Sequence, residues 1–311
     1  MVNKLNQSAD LLRTPHGNNS FEGLSFGLLG VLGFSFTLPA TRMAVATIDP
    51  MIVGLGRAIV AACLAAPLLL ITKQKIPTTR QWASVFIVLL GVVIGFPLLS
   101  AWAMRLVPAS HGAVVLGLLP LATAVAGSIR AHEKPSRKFW FASIAGSFAV
   151  ISYALSIGGG SFQLADFALL GAVVLAALGY AEGARLAREI GGWQVICWAL
   201  LLSAPLLIWP VSAKILHHGV SVTPSSLAGF VYVSFVSMFL AFFAWYRGLA
   251  IGGIVRISQL QLLQPFLTLG LSFLFLHEKI GIGAVFSALV VALSIWAGRR
   301  SPVTLKQVSK V

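Results

Sequence analysis

The chemistry this sequence can offer starts with one carboxylate. Glu182 sits in Gly179-Tyr180-Ala181-Glu182-Gly183, within a long apolar stretch. An ionisable group near the centre of a bilayer costs about 2.5–3.5 kcal/mol on insertion scales, so it needs a reason to be there. Two readings stand side by side. Glu182 is either a proton-coupling or cation-binding carboxylate facing a central cavity, or half of a local ion pair with Arg185, one turn away on the same helix face. Arg57, about two turns into another apolar run, poses a similar choice. It is either a cation that receives a carboxylate, or an interfacial anchor paired with Asp49 or Asp166. His111 stands nine residues before Pro120 and Arg256 nine before Pro265, so each falls near one end of its run as a gate or an anchor.

Gln261, Gln264 and Thr268 follow one another at spacings of three and four, which points them the same way on a helix. Two amides fit poorly against lipid, so this face looks inward, to line a cavity or to bond a neighbouring helix. Pro265 within the stripe removes a backbone donor and frees a carbonyl. Tyr180, Trp102, Trp245 and Tyr246 are either aromatic cavity walls with polar tips or members of interface belts. His217-His218 and the two cysteines, Cys63 and Cys197, lack metal-ligand spacing, and both cysteines read as free thiols. No phosphate-binding loop, dinucleotide fingerprint or catalytic constellation is present, which argues against an ATP-driven machine, a bound cofactor or an enzyme site.

The elements that must position these residues are apolar helices. Hydrophobic residues make up 58% of the 311-residue chain and charged residues 10%. That is too little charge for a water-exposed surface, where about 25% is usual. Charge-free runs cover 81–104, 106–129, 139–165, 190–213, 215–246, 257–276 and 280–298. About 20 residues of helix cross a hydrocarbon core of roughly 30 Å, and lipid requires every backbone group to be satisfied inside the segment. The pattern predicts an all-α integral membrane protein with ten spans: 23–43, 51–72, 82–104, 110–130, 138–157, 166–186, 194–213, 226–246, 254–276 and 281–298. Residues 1–22 and 299–311 read as tails. The net charge of +14 comes from Lys and Arg between the spans, not from a patch fit for nucleic acid. With both termini in the cytoplasm, only Arg42, Arg57, Arg105, Lys214 and Lys279 of the 22 basic residues face the other side, as the positive-inside rule requires.

The sequence also repeats itself. Pro120 is followed thirteen residues later by Glu133 in His132-Glu133-Lys134, and Pro265 thirteen residues later by Glu278 in His277-Glu278-Lys279. Thr123 and Thr268 hold the same place after each proline. Ala101-Trp102 matches Ala244-Trp245, and Ala66-Pro67-Leu68-Leu69 matches Ala204-Pro205-Leu206-Leu207, in the same order. The halves, 23–157 and 166–298, meet at Gly158-Gly159-Gly160-Ser161. Each holds five spans, an odd number, so the second copy enters the membrane from the opposite face. Inverted repeats are typical of secondary transporters, whose cargo binds between the halves near the midplane.

These residues resemble the ten-helix EamA branch of the drug/metabolite transporter superfamily, over 24–298. The family's proline and following glutamate correspond to Pro120 with Glu133 and to Pro265 with Glu278. Its basic residue at the end of the first helix corresponds to Arg42. Its Leu-Arg-aromatic motif is represented by Leu55-Gly56-Arg57-Ala58, with a glycine inserted and an alanine in the aromatic place, and Gly33-Phe34 replaces the usual Trp-Gly. The resemblance implies a carrier in a bacterial inner membrane that exports a small organic metabolite, amino acids first, by alternating access. Coupling would be proton antiport through Glu182 or none. The chain would work as a monomer or homodimer in the lipid bilayer. A polytopic membrane enzyme or an uncoupled channel is the alternative.

Overall fold

A computed structural model describes residues 16–131 and 162–299 continuously, together with 133–134, 304–305 and isolated positions between 137 and 155. Among the described residues, eight helices are long and apolar enough to cross a membrane: α1 (Phe21–Val45), α2 (Pro50–Ile71), α3 (Thr79–Leu106), α4 (Ala109–Arg130), α5 (Leu164–Ile190), α6 (Gly192–His217), α7 (Pro224–Gly252) and α8 (Ile254–Leu276). A ninth, α9 (Ile282–Arg299), occupies the expected last span. The expected span over 138–157 lies mostly outside the described residues, so the eight long helices stand for the fold here and the count of ten does not. The first helix begins at His16, within the stretch that composition marks as a tail. Two strands of two residues each, β1 (Glu133–Lys134) and β2 (Thr304–Leu305), pair antiparallel and bring the segment after α9 beside the link that follows α4.

Local signals set the helix starts. Asp49 caps α2 by accepting the Met51 amide at 2.8 Å, with Pro50 in the first turn, where its missing N–H costs nothing. Thr223 caps α7 in the same way, accepting the Ser226 amide at 3.2 Å ahead of Pro224. Large apolar side chains stay exposed on the outer faces, among them Leu70, Phe141, Trp209 and Phe286. A surface this apolar suits lipid and not water.

The halves interleave. The principal helix contacts are α1 with α7, α3 with α5, α2 with α6 and α4 with α8, each joining one helix of the first half to one of the second. The seams α4–α5 and α1–α8 close the ring. Glycine lets the first two pairs approach closely. A methyl group on Gly248 of α7 would lie 2.6 Å from the Gly27 nitrogen of α1, and one on Gly91 of α3 would lie 2.5 Å from the Leu175 carbonyl of α5. With no hydrophobic drive between helices in lipid, such contact is what holds them.

Departures from regular helix also recur in both halves. Wide π-turns run over Leu89–Gly95 in α3 and Tyr232–Leu240 in α7. α4 is interrupted at Gly117–Leu118, just before Pro120, and α8 tightens to a 3-10 turn over Gln259–Leu263, just before Pro265. In α1, the helix breaks at Phe36. Pro39 has no N–H to give the Ser35 carbonyl, and the Thr268 hydroxyl of α8 donates to that carbonyl instead, at 2.7 Å. The stripe expected to share one face is therefore divided: Thr268 serves the backbone of α1, and Gln261 lies within the 3-10 turn.

Candidate functional site

At mid-length, where these breaks cluster, seven helices enclose a small cavity. Its lining includes Phe34 and Thr37 of α1, Arg57 of α2, Val92 and Phe96 of α3, Leu119 of α4, Tyr180 of α5, Ser237, Met238 and Phe242 of α7, and Gln264 of α8. The volume is about 20 Å³. One water needs about 10–15 Å³ of such space, so this form of the site has room for a water and none for a metabolite.

Arg57 is the unusual member. It is 1% exposed, and neither Nε nor Nη1 has a hydrogen-bond acceptor. Among the described residues, neither Asp49 nor Asp166 pairs with Arg57. Asp49 faces Lys214 at 3.4 Å and caps α2, while Asp166 binds His111. The anchor reading fails because Arg57 turns into the cavity and not toward a membrane surface. Sequence position alone gave no sign of that, because a residue two turns into a helix can face either way.

Around Arg57, Thr37 and Ser237 share a hydrogen bond of 2.8 Å across α1 and α7, and the Gln264 carbonyl oxygen has no partner. Aromatic rings form the wall. Phe34 lies 5.0 Å from Phe242, and Tyr180 lies 5.5 Å from Trp245, both edge-on. Trp245 and Tyr246 stand behind the lining, fully buried, with the Tyr246 hydroxyl donating to the Gly179 carbonyl at 3.2 Å. Trp102 is exposed at the outer face and is no part of this wall. Gln264 and Thr268 flank Pro265 in a narrower crevice with Leu38, Ala113 and Leu116. Gln261 is buried, and both of its amide atoms lack partners.

Glu182 lies elsewhere. It is fully buried, and two guanidinium groups hold it: Arg130 of α4 at 2.6 Å and Arg185 at 2.5 Å. Arg185 also reaches the Ser84 hydroxyl of α3 at 2.6 Å. The local pair expected from the sequence is present, and Arg130, 52 residues away, completes it. Toward the other end of α4 and α5, His111 Nε2 meets Asp166 at 2.6 Å, both side chains buried, and Asp166 also accepts the Gln163 amide at 3.0 Å. Glu278 accepts the Ala109 and Ser110 amides, each at 2.9 Å, so the acid thirteen residues after Pro265 caps the start of α4. The side chain of Glu133 lies outside the described residues. Arg42 donates to the Met104 carbonyl, tying the end of α1 to α3.

The sequence reading missed Thr37, Ser237, Ser84 and the Arg130 contact. Isolated hydroxyls in apolar runs carry no spacing signal, and a pair 52 residues apart follows only from how helices pack. Among the described residues, no group of three or more His, Cys, Asp or Glu gathers to hold a metal.

Known proteins match this chain along most of its length. A solved crystal structure superposes with a TM-score of 0.66 over 89% of this chain and 97% of that one, at 16% identity, which is a likeness of fold. Protein PecM of Dickeya dadantii (strain 3937) is 27% identical over 270 residues, covering 80% of this chain and 87% of that protein. The Bacillus subtilis (strain 168) protein named uncharacterized transporter YdeK is 48% identical over 284 residues, covering 91% of this chain and 99% of its own. The model of the EamA-like transporter family matches residues 21–155 and again 163–297. With both halves matched and the helices packed as a membrane ring, this chain belongs to the EamA-like transporter family.

Proposed function

We propose that the chain is a secondary carrier that works by alternating access, with inverted five-helix repeats over 23–157 and 166–298 moving about the central cavity. One observation carries the reading: the cavity draws its lining from both halves and is closed around about 20 Å³. A cargo larger than water can enter only if helices part. The interruptions beside the cavity, at Phe36, in the π-turns and ahead of both prolines, supply places for helices to bend.

In this reading Glu182 is a closing contact, not a proton carrier. Two guanidinium groups occupy both of its carboxylate oxygens, so Glu182 ties α4 to α5. His111–Asp166 closes the opposite end. The cargo is a small organic metabolite, amino acids first, moved outward through a bacterial inner membrane with both termini in the cytoplasm. The Lys and Arg distribution supports that orientation, and the family resemblance supports export.

Reconstituted in liposomes, the protein should show saturable uptake and counterflow of its cargo. A conductance that never saturates would sink the carrier model in favour of a channel. Glu182→Gln separates the two views of Glu182. A coupling carboxylate predicts a folded mutant that transports without regard to a pH gradient, whereas a closing contact predicts a gradient response unchanged in kind.

A further inference from the structure

We infer that the cargo is an organic anion with an apolar or aromatic body, and that its carboxylate docks on Arg57. The inference rests on the carrier reading for the meaning of "cargo", and its physical basis is a charge without a counter-ion. Arg57 is 1% exposed, and its Nε and Nη1 have no acceptor. A charged group taken out of water costs several kcal/mol unless it is paired, and a lone buried cation is among the least stable arrangements a fold can keep.

The protein's own acids do not supply the partner. Glu22 pairs with Arg247, Asp49 with Lys214, Asp166 with His111, Glu182 with Arg130 and Arg185, and Glu189 with Arg185, while Glu278 is taken up by backbone amides. These are all the carboxylates whose side chains the structure describes. Arg57 therefore keeps free donors in a cavity lined by both halves.

The surroundings define the ligand further. A guanidinium offers two parallel donors that match a carboxylate, and the match is strongest where water is excluded. No acid lines the cavity, so an amine without a carboxylate finds no counter-charge there and is repelled by Arg57. Phe34, Tyr180 and Phe242 give the rest of the molecule an aromatic wall. The unpaired Gln264 carbonyl oxygen accepts one N–H or O–H from the same ligand, so an amino acid with an apolar side chain falls within the class.

Thermal unfolding of the whole protein in detergent tests this without knowledge of the natural cargo. The probes are a series of aliphatic and aromatic carboxylates, including phenylacetate and phenylalanine, each beside its matching amine, such as phenethylamine. At least one carboxylate should raise the melting temperature of the wild type while its amine does not, and Arg57→Gln should remove that shift. Arg57→Lys should retain the charge, lose the fork and bind at least tenfold more weakly. With no ligand, Arg57→Gln should melt at or above the wild-type temperature, because it removes a buried charge that nothing pairs. The proposal is overturned if amines stabilise as well as carboxylates, if no carboxylate stabilises the wild type, or if ligand-free Arg57→Gln melts lower. Binding needs no transport, so a bound carboxylate without counterflow would fail the carrier reading and leave this one standing.

Discussion

Two seams join the halves beside the cavity, and they are held in different ways. Along α4 and α5, charge sits at both ends: His111 with Asp166 at one, Arg130 with Glu182 at the other. From His111 to Arg130 the helix rises about 28 Å at 1.5 Å per residue, close to the thickness of a hydrocarbon core. Along α1 and α8 there is no such pair among the described residues. A single hydroxyl, Thr268, meets a backbone carbonyl at the break in α1, near the middle. Contacts at the ends of a seam resist its splaying open toward either surface. Away from that contact α1 and α8 meet through apolar packing, such as Gly27 against Ile257 and Leu260, which resists splaying less than paired charges do. In the proposed carrier, α4–α5 would close the cavity and α1–α8 would bend.

The comparison can be broken in graded steps. Asp166→Ala should cost most, about 2–4 kcal/mol, because it leaves the buried His111 Nε2 without a partner and removes the acceptor of the Gln163 amide. Glu182→Ala should cost less, about 1–3 kcal/mol, because Arg130 and Arg185 are 41% and 27% exposed and can turn to water. Thr268→Val should cost about 1 kcal/mol by leaving the Ser35 carbonyl without a donor. Chemical or thermal unfolding in detergent would rank the three, and a Glu182→Ala loss as large as that of Asp166→Ala would erase the distinction between the two ends. Direction offers a finer test. In a protein lacking Cys63 and Cys197, a cysteine at Ser84 should gain reactivity toward an impermeant thiol reagent from the Arg130 end when Glu182 is removed. A cysteine at Ser110 should gain it from the opposite end when Asp166 is removed. If both mutations expose the same end, the two contacts do not close opposite ends.

Much of this architecture was legible in the residues. Charge-free runs dictate helices because lipid leaves the backbone no other way to satisfy itself. The span expected over 254–276 coincides with Ile254–Leu276, and most others agree to within a few residues. Pro265 reads as a break in the backbone ladder of α8, while Pro120, which reads as its repeat counterpart, proves to follow an interruption in α4 as well. The site was legible only in part. Tyr180, Gln264 and Arg57 were singled out by type and do meet in one cavity. Which way Arg57 turns is decided by the packing of α2 against neighbours from both halves, and no local pattern encodes that. The break in α1 at Phe36 was not foreseen, and the hydroxyl that serves its free carbonyl, that of Thr268, lies 233 residues away. The π-turns in α3 and α7 have no residue signature, since each adds one backbone group to a turn without requiring a special side chain.

The closed cavity also bears on the membrane as an insulator. Cells store energy as a voltage, about 2.3 kcal/mol per elementary charge for every 100 mV. A continuous file of waters through a carrier would let protons run down that store while no cargo moved. A space of about 20 Å³, beside the Arg57 guanidinium and aromatic rings, has room for one water and none for a file of them. In the proposed carrier, the same tight closure that would oblige helices to part for each passenger would keep the membrane charged between passengers.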